Sequence, residues 1–332
     1  MDEWRIHGGR LEAARAAWPD APEPWLDLST GINPHPWPVE RAGAIDWQRL
    51  PGETALAGLE AAAARAFGVS PEWVSALPGS EIGLRLLATL DLPVPVRHLT
   101  PGYRTHAEAF AVSAPLAAES LSMEAERGGT ILLANPSNPD GRLHDPAELA
   151  AIASRLASRG GRLIVDEAFA DATRGTSLLP HMMHDEAAGV IVFRSFGKMF
   201  GLAGVRLGFA VAAPAWIAGL RQRLGSWPVS APAIAIGTAA YGDTDWIVRA
   251  RDRLAVDRDQ LDAVLQSHGL DPVGACPLFR LVRTPDAAAL FERLARRGIL
   301  TRPFDYAPDW LRIGLPGGDA ALDRLDKALA DG

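Results

Sequence analysis

Three short apolar segments of this chain are each followed by a polar side chain that could take part in chemistry. Asn138 follows the segment TILLA at 130–134, Asp166 follows RLIV at 162–165, and Lys198 follows VIVF at 190–193. Unbroken apolar segments of this length are typical of strands that are buried on both faces of a mostly parallel sheet. Because ligands bind beyond the carboxyl ends of such strands, we expect an amide, a carboxylate and an amine around one crevice.

Lys198 stands out because lysine is rare in this chain. Of the 33 basic residues only Lys198 and Lys327 are lysines, and all the others are arginines. An ammonium group can lose its proton and become a nucleophile, whereas a guanidinium group stays charged. Chance is the alternative explanation, but the pattern favours a requirement for an amine at position 198.

Pyridoxal 5'-phosphate (PLP) is a cofactor that uses these three groups together. Its aldehyde binds a lysine amine, a carboxylate keeps its pyridine nitrogen protonated, and a polar group contacts its ring hydroxyl. Its phosphate needs small donors and a cation. Ser195 and Arg206, three residues before and eight residues after Lys198, can supply a hydroxyl and a guanidinium. Residues 78–81 (PGSE), which we expect to open a helix with Ser80 at its N-cap, add backbone N–H groups.

These segments also have structural interpretations. Residues 138–141 (NPDG) suit a β-turn, and Asp166 suits the N-cap of a helix that follows its strand. A nucleotide-binding loop around Lys198 is excluded, because Val192 and Met199 stand where that motif needs Gly and Ser or Thr. An isolated Ser or Arg usually lies on the surface, so only their spacing from Lys198 supports a role of Ser195 and Arg206 in binding the phosphate.

The segments SNPDG (137–141), DEAF (166–169) and SFGKMFGLAGVRLGF (195–209) resemble, in order and spacing, those of the fold-type I, aspartate-aminotransferase-like PLP enzymes. The resemblance covers nearly the whole chain. It implies that Lys198 binds the cofactor covalently and that Asp166 pairs with the pyridine nitrogen. It further assigns cofactor contacts to Ser80, Glu81, His106, Asn138, Ser195 and Arg206.

The family resemblance also implies an α/β fold in several parts. A large PLP-binding domain with a mostly parallel sheet is expected over 39–230, and a smaller α+β domain over 231–332. An N-terminal arm over 1–38 is expected to pack against the small domain and the active site. Because the family builds each active site at a subunit interface, a homodimer is expected as well.

The amino-terminal residues narrow the resemblance. HGG at 7–9 and WLDLSTGINP at 25–34 resemble the start of the cobalamin-pathway threonine-phosphate decarboxylases, which are themselves similar to histidinol-phosphate aminotransferases. The implied reaction converts O-phospho-L-threonine to (R)-1-amino-2-propanol phosphate. The implied substrate contacts are His7, Gly8, Gly31, Asn138, Arg302 and Arg312. Arg312 would hold the α-carboxylate, and His7 and Arg302 would suit the phosphate. The structural alternatives are a solvated histidine at position 7 and surface arginines at 302 and 312.

Three positions depart from the wider family pattern. His106 stands where an aromatic ring stacks on the cofactor, and Phe169 stands where a tyrosine donates to the ring hydroxyl. Leu50 stands where a tyrosine reaches the neighbouring subunit's cofactor. These changes argue against efficient transamination. A histidinol-phosphate-type aminotransferase nevertheless remains the second hypothesis, and a catalytically silent PLP-fold interaction subunit, which would be expected to lose Lys198, is a distant third.

Hydrophobic periodicity predicts the elements that must position these residues. Before residue 130 we expect an extended Pro-rich arm at 19–38 and two helices, at 54–67 and 80–90. Further helices are expected around 148–160, 214–225, 246–268 and 286–298, with a last one at the carboxyl end. Strands are expected at the three apolar segments, at VRLGFAVA (205–212), and at LFRLVRT, ILTRPF and WLRIGLP in the last part of the chain.

Composition excludes several classes of function. The 332 residues are 48% hydrophobic with a formal net charge of -7, so no basic field exists to attract nucleic acid. No apolar stretch approaches the ~18 residues of a membrane-spanning helix, so no membrane partner is expected. The single cysteine, Cys276, cannot pair within the chain, and residues 1–10 resemble neither a signal segment nor a metal motif. We therefore expect a cytoplasmic enzyme without a metal ion.

Overall fold

The computed structural model describes Trp4, residues 7–182 and residues 189–330. The other positions of the predicted arm (1–3, 5 and 6) and of the predicted small domain (331 and 332) lie outside the described residues. The strands are β1 Leu26–Asp27, β2 Val74–Leu77, β3 Val96–Thr100, β4 Ala114–Ala117, β5 Thr130–Ala134, β6 Arg162–Asp166, β7 Val190–Ser195, β8 Gly208–Ala212, β9 Pro272–Val273, β10 Phe279–Arg283, β11 Ile299–Leu300, β12 Arg302–Pro303 and β13 Trp310–Gly314.

The α-helices are α1 Leu11–Ala17, α2 Glu53–Phe67, α3 Ser80–Leu86, α4 Arg104–Glu108, α5 Leu121–Ala125, α6 Pro146–Ser158, α7 Phe196–Met199, α8 Pro214–Leu224, α9 Ala231–Gly242, α10 Thr244–Ser267, α11 Ala287–Arg296 and α12 Asp319–Ala330. Short 3₁₀ turns lie at Val39–Ala42, Pro71–Trp73, Leu87–Thr89, Ala118–Ser120, Ala170–Ala172, Leu179–His181 and Ala203–Val205.

A seven-stranded sheet in the order β2-β8-β7-β6-β5-β3-β4 forms the centre of the molecule. In the run β4-β3-β5-β6-β7 each strand is parallel to the next. β8 runs antiparallel to both of its neighbours, β7 and β2. β5, β6 and β7 are buried along nearly their whole length, as their unbroken apolar sequences predict. The α/β fold class with a mostly parallel sheet is confirmed, and the carboxyl ends of these three strands lie side by side.

The crossover from β5 to β6 shows how the sequence forms its elements. Asp145 caps α6 by accepting hydrogen bonds from the N–H groups of Ala147, at 2.7 Å, and Glu148, at 3.3 Å. Pro146 occupies the first helical position, where its missing N–H has no partner to lose. Leu149, Ile152, Ala153 and Leu156 are buried, and they recur at the spacing of one helix face. The helix therefore covers the sheet and returns the chain to the edge where the next strand starts.

Three strands between residues 74 and 117 were missed by the sequence analysis, which assigned only helices there. β2 (VSAL), β3 (VRHLT) and β4 (APLA) all belong to the large sheet. Each has only four or five residues and contains polar residues or a proline, so none of them forms an unbroken apolar segment. β4 is an edge strand, the position in a sheet where proline is tolerated.

The expected N-cap of the second helix is also wrong. α3 begins at Ser80, and Gly79 occupies the capping position with φ of 96°, a conformation that favours glycine. No side chain caps this helix. Its first N–H groups are therefore free of a capping side chain, and Gly79 and Ser80 line a cavity.

A second, antiparallel sheet with the order β12-β13-β10-β9 lies in the last part of the chain, as expected. The segment ILTRPF forms two short strands instead of one, because β11 pairs with β1 while β12 pairs with β13. All four strands of this sheet fall within the predicted small domain, and the strands of the large sheet fall within the predicted large domain. The domain bounds at 38/39 and 230/231 remain predictions.

No helix in the described part of the chain is long and apolar enough to cross a membrane. Across Trp4, 7–182 and 189–330, no group of three or more His, Cys, Asp or Glu side chains is arranged to hold a metal ion.

Candidate active site

A cavity of about 250 Å³ opens where the carboxyl ends of the parallel strands face the small sheet. Twelve of the thirteen predicted site residues line it, and the exception is His106. The lining residues are His7, Gly8, Thr30, Gly31, Gly79, Ser80, Glu81, Tyr103, Ala134, Asn138, Asp166, Ala168, Phe169, Ser195, Gly197, Lys198, Ala203, Arg206, Leu207, Arg302 and Arg312. The strand-end argument therefore brings together residues that lie far apart in the sequence.

Lys198 projects from α7, the single helical turn that follows β7 directly. Burial, together with the positive charges of Arg312, Arg302 and Arg206, lowers the pKa of the Lys198 amine to about 8, although Asp166 acts in the opposite direction. Its Nζ lies 5.5 Å from the centre of the Phe169 ring. An amine in this environment is partly uncharged near neutral pH, as a nucleophile or a proton carrier needs to be.

Asp166 ends β6 and is 5% exposed. Its Oδ1 accepts a hydrogen bond from the N–H of Ala168 at 3.1 Å, and its Oδ2 lies 3.1 Å from Nε2 of His106. A buried carboxylate held by a histidine and a backbone N–H is suited to pair with a protonated ring nitrogen in the cavity.

The expectation that His106 stacks on the cofactor ring is not supported, because this side chain lies behind Asp166 and is 1% exposed. Tyr103, three residues earlier in the chain, lines the cavity instead. Its ring is perpendicular to that of His106, with 5.7 Å between the ring centres. Sequence reasoning missed Tyr103, although it stands in the same segment, PGYRTH.

The predicted phosphate site lies around the start of α3. Arg206 is the only non-glycine residue of the described ranges with a positive φ, at 55°, and this conformation directs its guanidinium towards Gly79. A Cβ on Gly79 would lie 2.8 Å from Nη2 of Arg206, so only glycine allows this approach. The Glu81 carboxylate accepts hydrogen bonds from Arg85, Tyr103 and Thr105. Because these donors are all side chains, the carboxylate does not cap the helix. The N–H groups of the first turn, together with Ser195 and Arg206, can therefore bind an anion.

Arg312 lies on β13, between β12 and β10, and is 3% exposed, so it is neither on an edge strand nor on the surface. Its Nη1 donates to Oδ1 of Asn138 at 2.7 Å, and its Nη2 donates to the carbonyl of Ser29 at 2.7 Å. Burial, followed by the charge of Arg302, lowers the pKa of Arg312 to about 9. A buried guanidinium without a carboxylate among these partners is well placed to bind the carboxylate of a ligand.

The two predicted glycines are explained by close approaches. A Cβ on Gly8 would collide with the carbonyl of Ser29, next to the point where Gly9 N–H donates to Oγ of Ser29 at 2.7 Å. A Cβ on Gly31 would lie 2.8 Å from the Phe279 ring and 2.9 Å from the Phe169 ring. Glycine at both positions lets the amino-terminal residues form one wall of the cavity.

His7 and Arg302 line the cavity together with Tyr103, whose ring centre lies 6.3 Å from that of His7. Burial and the nearby charge of Arg302 lower the pKa of His7, while Glu81 raises it by a smaller amount. Burial also lowers the pKa of Arg302, which lies 5.1 Å from the ring of Phe304. The Arg302 guanidinium supplies a positive charge and the His7 ring can donate a hydrogen bond, so together they can bind an anion such as a phosphate ester.

Sequence reasoning did not identify the buried ionic network beneath the site. Arg194, the residue before Ser195 in β7, pairs with Glu167 at 2.7 Å and also with Asp171. Tyr241 donates to Asp171 at 3.4 Å, and Phe67 covers the guanidinium of Arg194 at 4.5 Å. This network fixes β6 to β7, the two strands that present Asp166 and Lys198. A charged residue inside the otherwise apolar segment VIVFR is the pattern that could have indicated it.

Comparison with known proteins decides the family. Residues 103–329 match the family described as aminotransferase class I and II. The chain belongs to this family. It is 42% identical to a protein of Sinorhizobium sp named threonine-phosphate decarboxylase, over 98% of this chain and 97% of that one. A protein of the same name from Pseudomonas aeruginosa is 41% identical, over 97% and 96% of the two chains.

Among solved structures, the histidinol-phosphate aminotransferase of Sinorhizobium meliloti in complex with PLP is similar in fold, with a TM-score of 0.82. The identity is 23%, over 96% of this chain and 93% of that one. The predicted family and the PLP-dependent transferase-like fold are thereby confirmed.

PLP is the cofactor of this family, and the residues of this chain fit it. Lys198 provides an amine of lowered pKa, and Asp166 provides a buried carboxylate across the same cavity. The approach of Arg206 to Gly79 forms an anion site that a Cβ would fill. The amine suits the aldehyde of PLP, the carboxylate suits its ring nitrogen, and the anion site suits its phosphate.

Proposed function

We propose that the protein is a PLP-dependent decarboxylase that converts O-phospho-L-threonine to (R)-1-amino-2-propanol phosphate in cobalamin biosynthesis. The observation that carries this proposal is a cavity in which Lys198 lies among several basic groups. Arg302 and Arg312 are register partners on β12 and β13, and His7 lies near enough to Arg302 for that charge to lower its pKa, so one cavity can hold both a carboxylate and a phosphate. The names of the relatives at 42% and 41% identity support the same substrate.

PLP, when bound, supplies an electron sink for the electron pair that is released at the substrate's α-carbon. Asp166 holds the negative charge that keeps this sink strong. Arg312 binds the α-carboxylate, and because its guanidinium is fixed by Asn138 and Ser29, it also orients this group. His7 and Arg302 bind the phosphate, so the two anchors together set which bond at the α-carbon faces the ring.

Lys198 has the pKa that a proton carrier needs at the α-carbon. With a value of about 8, its amine is present in both protonation states near neutral pH. After carbon dioxide has left, the ammonium form can donate a proton to the α-carbon. The apolar rings of Phe169 and Phe279 beside Gly31 exclude water from this side of the cavity.

The test is product analysis with O-phosphothreonine as the sole substrate. We expect release of carbon dioxide and formation of an aminopropanol phosphate without any keto acid. The reaction with threonine should be much slower, because threonine lacks the phosphate that His7 and Arg302 would bind. Formation of glutamate from 2-oxoglutarate with histidinol phosphate as donor, without carbon dioxide release, would establish the aminotransferase instead. Failure of both reactions with PLP bound would favour a catalytically silent subunit.

The substitution Arg302→Ala separates phosphate recognition from the chemical step. It should reduce kcat/KM for O-phosphothreonine by about 100-fold and for threonine far less, since a phosphate contact is lost. Arg283→Ala is the matched control, because Arg283 lies on the same sheet against the ring of Trp310 and outside the cavity. Equal losses with both substrates would contradict the assigned role of Arg302.

We also propose that the enzyme is a cytoplasmic homodimer. A groove of about 700 Å³ lies between residues 42–58 and α9, and most of its lining is apolar. Leu50 lines this groove and Trp47 lies three residues before it in the chain; the two residues are 65% and 76% exposed. Large apolar residues that are exposed close together are typical of a protein–protein interface. A second copy of the chain is the occupant that we propose for this face, because Leu50 stands where the family resemblance places a contact across subunits. The single cysteine, Cys276, is buried and has no second cysteine to pair with in the chain, which supports the cytoplasmic part of the proposal.

A further inference from the structure

Residues 26–37, here called the strap, run from the small sheet to the turn that carries Lys198. At its start, β1 pairs with β11, and the carbonyl of Ser29 accepts the hydrogen bond from Arg312. Its second half contacts the backbone of residues 198–200. The strap is therefore the segment that touches both the carboxylate-binding arginine and the lysine turn.

Asn33 makes the main contacts between the strap and α7. Its N–H donates to the carbonyl of Lys198 at 2.9 Å, and its Nδ2 donates to the carbonyl of Met199 at 2.8 Å. Its Oδ1 accepts from the N–H of His35 at 2.9 Å, which fixes the orientation of the carboxamide. The side chain is 2% exposed, so water does not compete for these bonds.

The carbonyls at the end of α7 need such partners. A helix leaves its last carbonyl groups without intrahelical donors, and a single turn is not stable by itself. α7 consists of only four residues, and the additional bond from Gly201 N–H to the Lys198 carbonyl is long, at 3.3 Å. Trp37 N–H supplies the partner of the next carbonyl, that of Phe200, at 2.9 Å.

The chain also makes room for this contact. Gly201 has φ of 69°, and a Cβ there would lie 2.6 Å from the carbonyl oxygen of Asn33 and 2.8 Å from Pro36. A side chain at position 201 would force the strap away from α7. The close approach is therefore built into both segments.

We infer that Asn33 is a positioning residue for Lys198: it caps the carboxyl end of α7 and so fixes the direction in which the amine enters the cavity. This inference rests on the proposed role of Lys198. It does not depend on which substrate the enzyme uses.

The chain offers a direct test, because Lys198 and Lys327 are its only lysines. Trace acetylation of the cofactor-free protein with acetic anhydride over a range of pH reports the titration midpoint of each amine separately. In the wild-type protein we expect a midpoint near 8 for Lys198. The charged groups that face this amine are Arg312, Arg302, Arg206 and Asp166, and Lys327 serves as the internal reference.

In Asn33→Ala the turn loses a donor, and the amine moves towards water. Its midpoint should rise by about one pH unit towards that of an ordinary lysine, while Lys327 is unchanged. His35→Ala is the matched control: the histidine ring ties the strap to Asp257 at 2.8 Å, and its loss leaves both Asn33 bonds to α7 in place. An unchanged Lys198 midpoint in folded Asn33→Ala, or an equal shift in His35→Ala, overturns the inference.

Asn33→Asp tests the donor itself with almost no change of shape. The carboxylate can still accept from His35 N–H, but it has no N–H to give to the Met199 carbonyl. With PLP and substrate we expect kcat to fall about tenfold and KM to change little, because the reacting amine and not the substrate site is displaced. A fall in substrate affinity with unchanged kcat would contradict a role at Lys198.

A measurement on the wild-type protein needs no variant and decides the case even if the substituted chains do not fold. The backbone amide of Asn33, which donates to the Lys198 carbonyl, should exchange its hydrogen slowly, although it lies outside regular secondary structure. Rapid exchange in the cofactor-free protein would show that the cap does not form. If the amine titrates as expected but no carbon dioxide is released from O-phosphothreonine, only the proposed function fails.

Discussion

Lys198 carries its amine into a cavity that already contains several guanidinium groups. Without PLP the folded protein must keep an ammonium group there at neutral pH, next to Arg312 and Arg302. The lowering of its pKa from 10.5 to about 8 corresponds to about 3 kcal/mol of lost stability at neutral pH. The residue that we propose carries out the chemistry therefore destabilises the folded, cofactor-free chain.

Lys198→Met should make the cofactor-free protein more stable than the wild type at pH 7, by up to about 3 kcal/mol. The unfolded chain binds a proton at Lys198 up to pH 10.5, whereas the folded chain releases it near pH 8. The wild type therefore gains stability as the pH rises from 8 towards 10.5, and the difference should shrink. Urea unfolding of both proteins at pH 7 and pH 10 measures it. Lys327→Met, on an exposed position of α12, is the control, and a difference that does not depend on pH would refute the assignment.

The roles of Asp166 and of its partner His106 can be separated by substitution. Asp166→Asn removes the charge that keeps the cofactor ring protonated, so kcat should fall by at least about 100-fold with a smaller change in KM. His106→Ala leaves the charge and removes one of its partners, so the loss should be about 3- to 10-fold. His98→Ala is a control because His98 is also buried and bonds to Ser113 instead. Turnover close to wild type in Asp166→Asn would contradict the role of this carboxylate.

At the scale of elements, the strap and the glycine within it determine the width of the cavity. Gly31→Ala should push the rings of Phe169 and Phe279 away from their present positions, because the added Cβ would lie within 3 Å of both. We expect kcat/KM to fall by about 10-fold or more with a modest loss of stability. Gly219→Ala, in α8 where the added Cβ would make only an ordinary contact with the Arg223 side chain at 3.6 Å, is the matched control and should be neutral or slightly stabilising. Unchanged kinetics in Gly31→Ala would show that this wall of the cavity adapts freely.

The part of the site at the strand ends could be predicted because one physical rule determines it. Asn138, Asp166 and Lys198 lie at or just beyond the carboxyl ends of three strands that contain unbroken apolar segments, and parallel strands of this kind end at the same edge of a sheet. The placement of Tyr103 and His106 could not be predicted in this way. Tyr103 precedes α4 and His106 lies within it, and only the packed structure determines which ring reaches the cavity and which lies behind Asp166.

The strap shows the other limit of sequence reasoning. Its second half forms no regular strand, and its partners are backbone carbonyls of residues more than 160 positions away. Residue types and local spacing carry no information about such contacts. The segment LSTGINP was recognised through its family resemblance, and the reason for its asparagine became evident only from the hydrogen bonds to α7.

At the scale of the whole molecule, the exposed apolar face around Leu50 predicts the state of assembly. Leu50→Asp places a charge in the groove beside α9, and it should weaken self-association by about tenfold or more without unfolding the chain. Sedimentation over a range of concentrations measures this. Val112→Asp, which changes an 84% exposed valine on another face, is the control. A wild-type protein that sediments as a monomer at micromolar concentration would rule out the dimer.

The bond between Arg312 and Ser29 joins residues 283 positions apart, and this separation has a consequence during synthesis. The ribosome makes the strap among the first residues, but its partners β11, Arg312 and Gly314 appear only when almost the entire chain has been translated. The residues that we propose hold PLP are all translated by residue 206, so a nascent chain can form the proposed cofactor site well before it can form the proposed carboxylate site at Arg312. The proposed substrate site is thus the last part of the cavity that can form during translation, and until then the first half of the strap has no β11 or β13 to pack against.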